Sequence, residues 1–207
     1  MNVQKNKWKH AKTRRTADTL SINGFQVMQR WEEPCMMEMA RNVAQSGGDV
    51  LEVGFGMGIS AFFINKHSPR SHTIIEANHE VAEQAREFAR QNPNVKVIEG
   101  FWQDVIEQIA NESYDGVLFD TYPIDGVHED EDAFYAHAKR ILRPQGVLTF
   151  YVSCESEVHE DDEYLSSLGF KTATCKVAVT PPGKSCEYWD KSKHMLVPRC
   201  QKSIDVF

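Results

Sequence analysis

The chain has 207 residues, 41% of them hydrophobic, and a formal net charge of −7 at pH 7. That length suffices for one α/β domain with a sizeable core. The charge argues against a nucleic-acid partner held by phosphate neutralisation, and no apolar run approaches the roughly 18 residues of a membrane span, so a soluble, cytoplasmic protein is expected.

Residues 1–24 open with a polar, locally basic stretch from Lys5 to Arg15, expected to form a flexible amino-terminal segment or lid. From residue 25 onward, apolar runs of strand length alternate with helical periodicity, the pattern of successive β-α units in a largely parallel sheet. Helices are predicted at Pro34–Gln45, Met57–Lys66, Glu80–Gln91, Trp102–Ala110, Asp132–Leu142 and Glu157–Leu168. Strands are predicted at Val50–Val53, Thr73–Glu76, Val95–Glu99, Gly116–Asp120, Val147–Ser153, Lys171–Val179 and His194–Val197. Ser46-Gly47-Gly48 and Asn92-Pro93 stop helices, Arg143-Pro-Gln-Gly146 turns into a strand, and Thr180–Ser185 separates the last two strands as an antiparallel pair. The acidic runs 128–132 and 155–163 read as a charged loop and a helix face.

The segment Asp49-Val-Leu-Glu-Val-Gly-Phe-Gly-Met-Gly-Ile-Ser60 carries the first functional signal. A buried strand runs into three glycines spaced G-x-G-x-G and then into a helix. Gly54 and Gly56 permit a tight turn and close backbone approach to a ligand, and Gly58 lets the helix pack on the sheet. Glu76 follows 22 residues after Gly54 and ends the next strand, the distance at which such folds place a carboxylate on a ribose. A nucleoside is therefore expected here. Two residues before the first glycine stands Glu52, whose charge would repel a pyrophosphate but suits a ligand with an ammonium and a sulfonium, namely S-adenosylmethionine. A purely structural Glu52, accepting amide bonds in the loop, is compatible with the same ligand.

Asp120 closes the fourth strand, where open α/β sheets bind ligands, and Pro123 ends the regular backbone. A carboxylate placed there can neutralise a cationic nucleophile and take its proton. Glu32 and Glu33, at a helix start beside Trp31, are explained on their own by the helix dipole. Five cysteines, at 35, 154, 175, 186 and 200, make no C-x-x-C pair; reduced thiols are expected, and with no zinc-type spacing no metal is predicted.

The residues Val27–Met36, Leu51-Glu-Val-Gly-Phe-Gly-Met57, Ile74–Asn78, Gly100–Val105, Tyr114–Pro123 and Gly146–Phe150 together resemble the guanidinoacetate N-methyltransferase family in order and spacing. A related branch that methylates arginine side-chain nitrogens shares much of the pattern. The resemblance implies a doubly wound α/β fold, a seven-stranded mostly parallel sheet with one antiparallel strand, with residues 25–207 as the methyltransferase domain. It implies that Met36, Phe55, Gly56, Met57, Gly58, Ile59, Ser60, Glu76, Ala77, Asn78, Trp102, Gln103 and Asp120 surround S-adenosyl-L-methionine. It aligns Trp8 with a tryptophan that closes over the cofactor, and Glu32 and Asp120 with the two acids that clasp a guanidinium. Ser153 and Cys154 fall where the family binds the substrate's carboxylate, yet Glu155 and Glu157 beside them disfavour one.

The expected function is methyl transfer from S-adenosylmethionine to a guanidino nitrogen of a small, guanidinoacetate-like molecule, by a monomer or homodimer. Alternatives are an arginine N-methyltransferase acting on free arginine, a derivative or a protein side chain; an NAD-dependent oxidoreductase; or a non-catalytic nucleoside-sensing module.

Overall fold

The computed structural model describes residues 3–124, 131–152, 163–180, 182–183, 186–188 and 192–204. In chain order the elements are α1 (Val3–Lys9), β1 (Thr13–Arg15), β2 (Thr19–Ile22), β3 (Phe25–Gln29), a 3-10 turn (Arg30–Glu32), α2 (Glu33–Ala44), β4 (Asp49–Val53), α3 (Ile59–Lys66), β5 (Ser71–Glu76), α4 (His79–Gln91) and β6 (Val95–Glu99). They continue with α5 (Trp102–Val105), a second 3-10 turn (Ile106–Gln108), β7 (Tyr114–Phe119), α6 (Glu131–Ile141), β8 (Leu142–Phe150), α7 (Glu163–Ser167), β9 (Phe170–Ala178) and β10 (His194–Lys202).

Seven strands form one sheet in the order β6-β5-β4-β7-β8-β10-β9. The pairs from β6 through β8 are parallel, and β10 runs antiparallel to both β8 and β9. The expected α/β fold with one antiparallel strand is therefore present. Strand order reverses between β4 and β7, so the carboxyl ends of those two strands flank the crevice where such sheets receive ligands.

Both faces of the sheet are covered, and strand alternation divides the core in two. Val50 and Ile74 face one cluster with Met36, Met39, Ile64 and Val81, while Leu51, Val53 and Ile75 face another with Phe119, Phe134 and Ile141. At the amino ends of the central strands, Asp49 and Asp115 are cross-linked by Arg70 and Arg143, which fastens β4, β7 and β8 away from the crevice.

Three elements differ from the sequence expectation. The helix predicted over Trp102–Ala110 breaks after one turn into the 3-10 turn. The turn expected at 143–146 is a looped bulge inside β8, where the register with β7 jumps from Tyr114↔Leu142 to Gly116↔Val147 and Gln145 takes φ 65°. The last strand runs on through Pro198 to Lys202; Pro198 has no N–H to give a neighbour, but its carbonyl accepts Thr149 Oγ1 at 2.6 Å. The sequence reading also lacked a second, three-stranded antiparallel sheet, β1-β2-β3. Its tight turn is Asn23-Gly24, both at positive φ (53° and 86°), the conformation a two-residue hairpin loop needs.

Candidate active site

The carboxyl ends of the parallel strands open onto a cavity of about 310 Å³. β4 delivers Gly54, β5 Glu76, β6 Gly100 and β7 Asp120, while Glu32 reaches in from the 3-10 turn before α2 and Tyr151 from the end of β8. Gly54 sits where two strand ends converge: its N–H donates to the Ile75 carbonyl at 2.9 Å, and the Asp120 N–H donates to the Val53 carbonyl at 2.9 Å. A Cβ on Gly54 would lie 1.9 Å from the Asp120 carbonyl oxygen, and φ is 93°, so only glycine fits.

Glu76 fixes the glycine loop. Its carboxylate accepts the Phe55 N–H at 2.9 Å and the Asn78 N–H at 2.7 Å, and the nearby Gly56 and Ala77 amides also favour its charged form. Burial pushes its pKa up and the amides pull it back. Asn78 caps α4 by accepting from the Val81 N–H and donates to the Trp8 and Ala11 carbonyls. That anchors the amino-terminal segment, and Trp8 lines the cavity with its ring stacked on Tyr122 at 5.3 Å and 7°.

Glu32 and Asp120, one from before α2 and the other from the end of β7, line the same cavity. Glu32 is 2% exposed, and its Oε2 accepts the Gln29 N–H at 2.7 Å and the Tyr188 hydroxyl at 2.9 Å; Tyr151 donates to it as well. Burial raises the Glu32 pKa against those three donors. Neighbouring Glu33 pairs outward with Arg30 at 3.2 Å, so the two adjacent acids have separate duties. What Asp120 exposes faces the cavity. Burial, reinforced by the negative charges of Glu32, Glu52 and Glu76, pushes its pKa up to about 8.

The site residues expected from sequence divide into two groups. Glu32, Gly54, Gly56, Glu76, Ala77, Trp102 and Asp120 line the cavity. Met36 is wholly buried in α2, and Phe55, Met57, Gly58, Ile59, Ser60, Asn78 and Gln103 stand outside the cavity wall. Glu52 is wholly buried too, because it shares a strand face with Val50, beneath α3. There its carboxylate accepts the Ser60 hydroxyl and lies 2.9 Å from His72 Nε2 rather than lining the cavity. Ser153 and Cys154 lie outside the described residues. Sequence reasoning missed Tyr188, which arrives with the β9–β10 connection, docked by the Glu187 N–H on Gln26 Oε1 at 3.0 Å. It also missed the hydroxyl of Tyr151. Trp31 backs the wall, stacked on Tyr188 at 6.3 Å.

The wall suits S-adenosylmethionine on chemical grounds. Three carboxyl groups line the cavity and no Lys or Arg does among the described residues, which favours a cationic ligand. Trp102, on the cavity wall, has its Nε1 buried with no hydrogen-bond partner among the described residues, leaving a donor of the kind a purine edge satisfies. On the surface, His79, Glu83 and Glu99 present ligand atoms within 4.8 Å of one another. Arg86 pairs with both glutamates, which already neutralises that cluster.

A family model described as guanidinoacetate N-methyltransferase matches residues 2–203. A protein named protein arginine N-methyltransferase 2 from Candida glabrata is 32% identical over 133 residues, 60% of this chain and 32% of that protein. Its namesake from Yarrowia lipolytica is 31% identical over 160 residues, 73% of this chain and 33% of that protein. The chain thus spans about a third of the length of these curated relatives. Among solved structures, spermidine synthase from Thermotoga maritima superposes with a TM-score of 0.65 at 15% identity, covering 94% of this chain and 73% of that one. TYW2 from M. jannaschii, solved in complex with AdoMet, gives 0.59 at 18% identity, covering 95% and 88%. At such identities the structural likeness shows the shared fold.

Proposed function

This chain belongs to the guanidinoacetate N-methyltransferase family, and from that premise we propose that it transfers the methyl group of S-adenosylmethionine to a guanidino nitrogen of a small, guanidinoacetate-like molecule. What carries the reading is the convergence of Glu32 and Asp120 on one cavity beside the glycine loop, two acids distant in sequence with no cation between them in the described wall. The residues proposed to hold the cofactor are Glu76 at the ribose hydroxyls and Trp8, Ala77 and Trp102 about the base.

A guanidinium, with a pKa above about 12, is not a nucleophile at neutral pH, and ionising it free in water costs roughly 7 kcal/mol. Carboxylates remove that cost by gripping the planar fork through charge-assisted bonds, fixing one nitrogen and sharing its proton. The bound cofactor supplies an electrophilic methyl on a sulfonium. The Asp120 carboxyl is held near 8 while no cation is present. A guanidinium beside it favours the ionised form, so its proton leaves as substrate arrives, and the same oxygen takes the guanidino proton as the C–N bond forms. Burial of the Asp120 environment keeps water from levelling this basicity.

A second reading, methylation of arginine as the free amino acid or within a protein, rests on the names of the curated relatives. The test is methyl transfer from labelled S-adenosylmethionine to guanidinoacetate, free arginine, agmatine and an arginine-containing peptide in parallel. Guanidinoacetate is expected to be preferred. Preference for the peptide would replace the first reading with the second, and label in none of them would sink both.

A further inference from the structure

We propose that Tyr188 and Tyr151 are positioning residues that hold Glu32 as the fixed anion of the site, leaving Asp120 to take both the guanidinium fork and the proton. This rests on the guanidino reading above and names the side chains that keep Glu32 in the clamp role, which the sequence does not reveal.

The two carboxyl groups share a cavity but not an environment. Glu32 Oε2 accepts the Gln29 N–H at 2.7 Å and the Tyr188 hydroxyl at 2.9 Å, and the Tyr151 hydroxyl is a further donor that favours its charge. A carboxylate offers about four acceptor directions, so one or two are left for substrate N–H groups. Glu32 therefore meets the guanidinium with fewer free acceptors than Asp120 does. No described residue donates a hydrogen bond to the Asp120 carboxyl, and the charges that bear on it, Glu32, Glu52 and Glu76, are all negative. Both of its oxygens are available to the two parallel N–H groups of a guanidinium. Burial raises the pKa of both carboxyls, but at Glu32 hydrogen-bond donors pull back toward the ionised form, while at Asp120 negative neighbours add to the upward push; environments that differ in this way suit one acid to a clamp and the other to a base.

The tyrosines are suited to remain donors. Burial and the adjacent acids push both phenols far above their ordinary range, so neither loses its proton. Tyr188 is held from behind by Trp31, and the preceding residue, Glu187, ties the segment to β3 by donating its N–H to Gln26 Oε1. Tyr151 is fixed by its own N–H on the Phe119 carbonyl at 3.0 Å. The groups facing Glu32 are thus the two phenols, the Gln29 amide and, as a charge, Asp120 from β7, while Cys186 bears on Tyr188 from its own segment. In the transfer step the guanidino nitrogen forms its bond to the methyl carbon. The C–S bond breaks with its electron pair left on sulfur, and the proton released from that nitrogen passes to Asp120, not to Glu32.

The test is Tyr188→Phe and Tyr151→Phe, each of which removes one hydroxyl and keeps the ring. The Glu32 carboxyl is titrated by isotope-edited infrared on carbon-13-glutamate-labelled protein without substrate, assigned by loss of the band in Glu32→Gln. Loss of one donor is expected to move the Glu32 midpoint up by about one pH unit. In methyl transfer, the acidic limb of the kcat/KM profile is expected to move the same way and KM for the guanidino substrate to rise about tenfold, with cofactor affinity kept. A Glu32 midpoint unmoved in both variants overturns the inference, even in an enzyme that methylates guanidinoacetate. A midpoint that moves in a protein labelling no guanidino compound upholds the pinning of Glu32 and rejects the functional reading instead.

Discussion

Replacing Asp120 by Asn is expected to stabilise the ligand-free protein, and to do so more strongly as pH rises. The folded chain holds the Asp120 carboxyl near pKa 8 against 3.8 for an unperturbed aspartate. Between those values the native state binds one more proton than the unfolded chain, so native stability falls as pH rises through the window and levels off above about 8. Each unit is worth about 1.4 kcal/mol, so from pH 5 to 8 this carboxyl alone removes up to about 4 kcal/mol, less where water enters the cavity. Asparagine keeps nearly the same shape and does not titrate. The stability difference between Asp120→Asn and wild type, from urea unfolding at pH 5, 6, 7, 8 and 9 without cofactor, should therefore grow by up to about 4 kcal/mol to pH 8 and then flatten. Glu32 and Glu76 titrate in both proteins and largely cancel in the comparison. A difference constant to within about 1 kcal/mol across the range would refute the reasoning, because Asp120 would then carry its charge freely in the folded state.

Other consequences follow from single contacts. Gly54→Ala drives a Cβ to within 1.9 Å of the Asp120 carbonyl oxygen; a loss of more than about 3 kcal/mol is expected in thermal or urea unfolding, and a normal melt would mean the strand ends are further apart. Asp49 lies at the far end of the sheet, where hydrogen bonding to Arg70, Ser71 and Arg143 holds its carboxyl well below the usual range. Asp49→Asn should cost about 1–2 kcal/mol at pH 7, limited by the solvent around Arg70, and because the folded carboxyl titrates well below the unfolded one, the cost should only begin to shrink as pH falls through about 4 to 3 and still be present there. Unfolding at both pH values, with methyl transfer unchanged at 25 °C, checks this. Trp8→Ala removes the stack on Tyr122; if residues 1–24 act as a lid, calorimetry should show the cofactor Kd rising about tenfold with kcat at saturation less affected. An unchanged Kd would remove the lid from consideration.

What the sequence made legible was local in the chain. The run from Asp49 to Ser60 carries its own strand, turn and helix, so Gly54 and the approach of β4 to a ligand could be read without knowing the sheet order. Asp120 was readable for the same reason, as an acid ending an apolar strand before Pro123. Glu32 was not: nothing around it separates a dipole acid from a cavity acid, and only the resemblance placed it opposite Asp120. Tyr188 depends on β10 entering the sheet between β8 and β9, a pairing of distant segments that leaves no local trace. The small amino-terminal sheet did leave one, in Asn23-Gly24. Reading that segment for charge alone misses the turn, because its buried apolar side chains are few, Leu20, Ile22 and Met28. Glu52 shows the opposite failure, a residue read as facing the loop whose pleat turns it beneath α3, onto Ser60 and His72.

The most direct measurement is methyl transfer to guanidinoacetate by wild type, Glu32→Gln and Asp120→Asn, with cofactor Kd determined on the same preparations. Both variants are expected to bind S-adenosylmethionine within a few-fold of wild type, while kcat/KM falls by roughly a thousandfold or more for Asp120→Asn and about a hundredfold for Glu32→Gln. Turnover by Asp120→Asn within about tenfold of wild type would contradict the role given to the carboxyl pair.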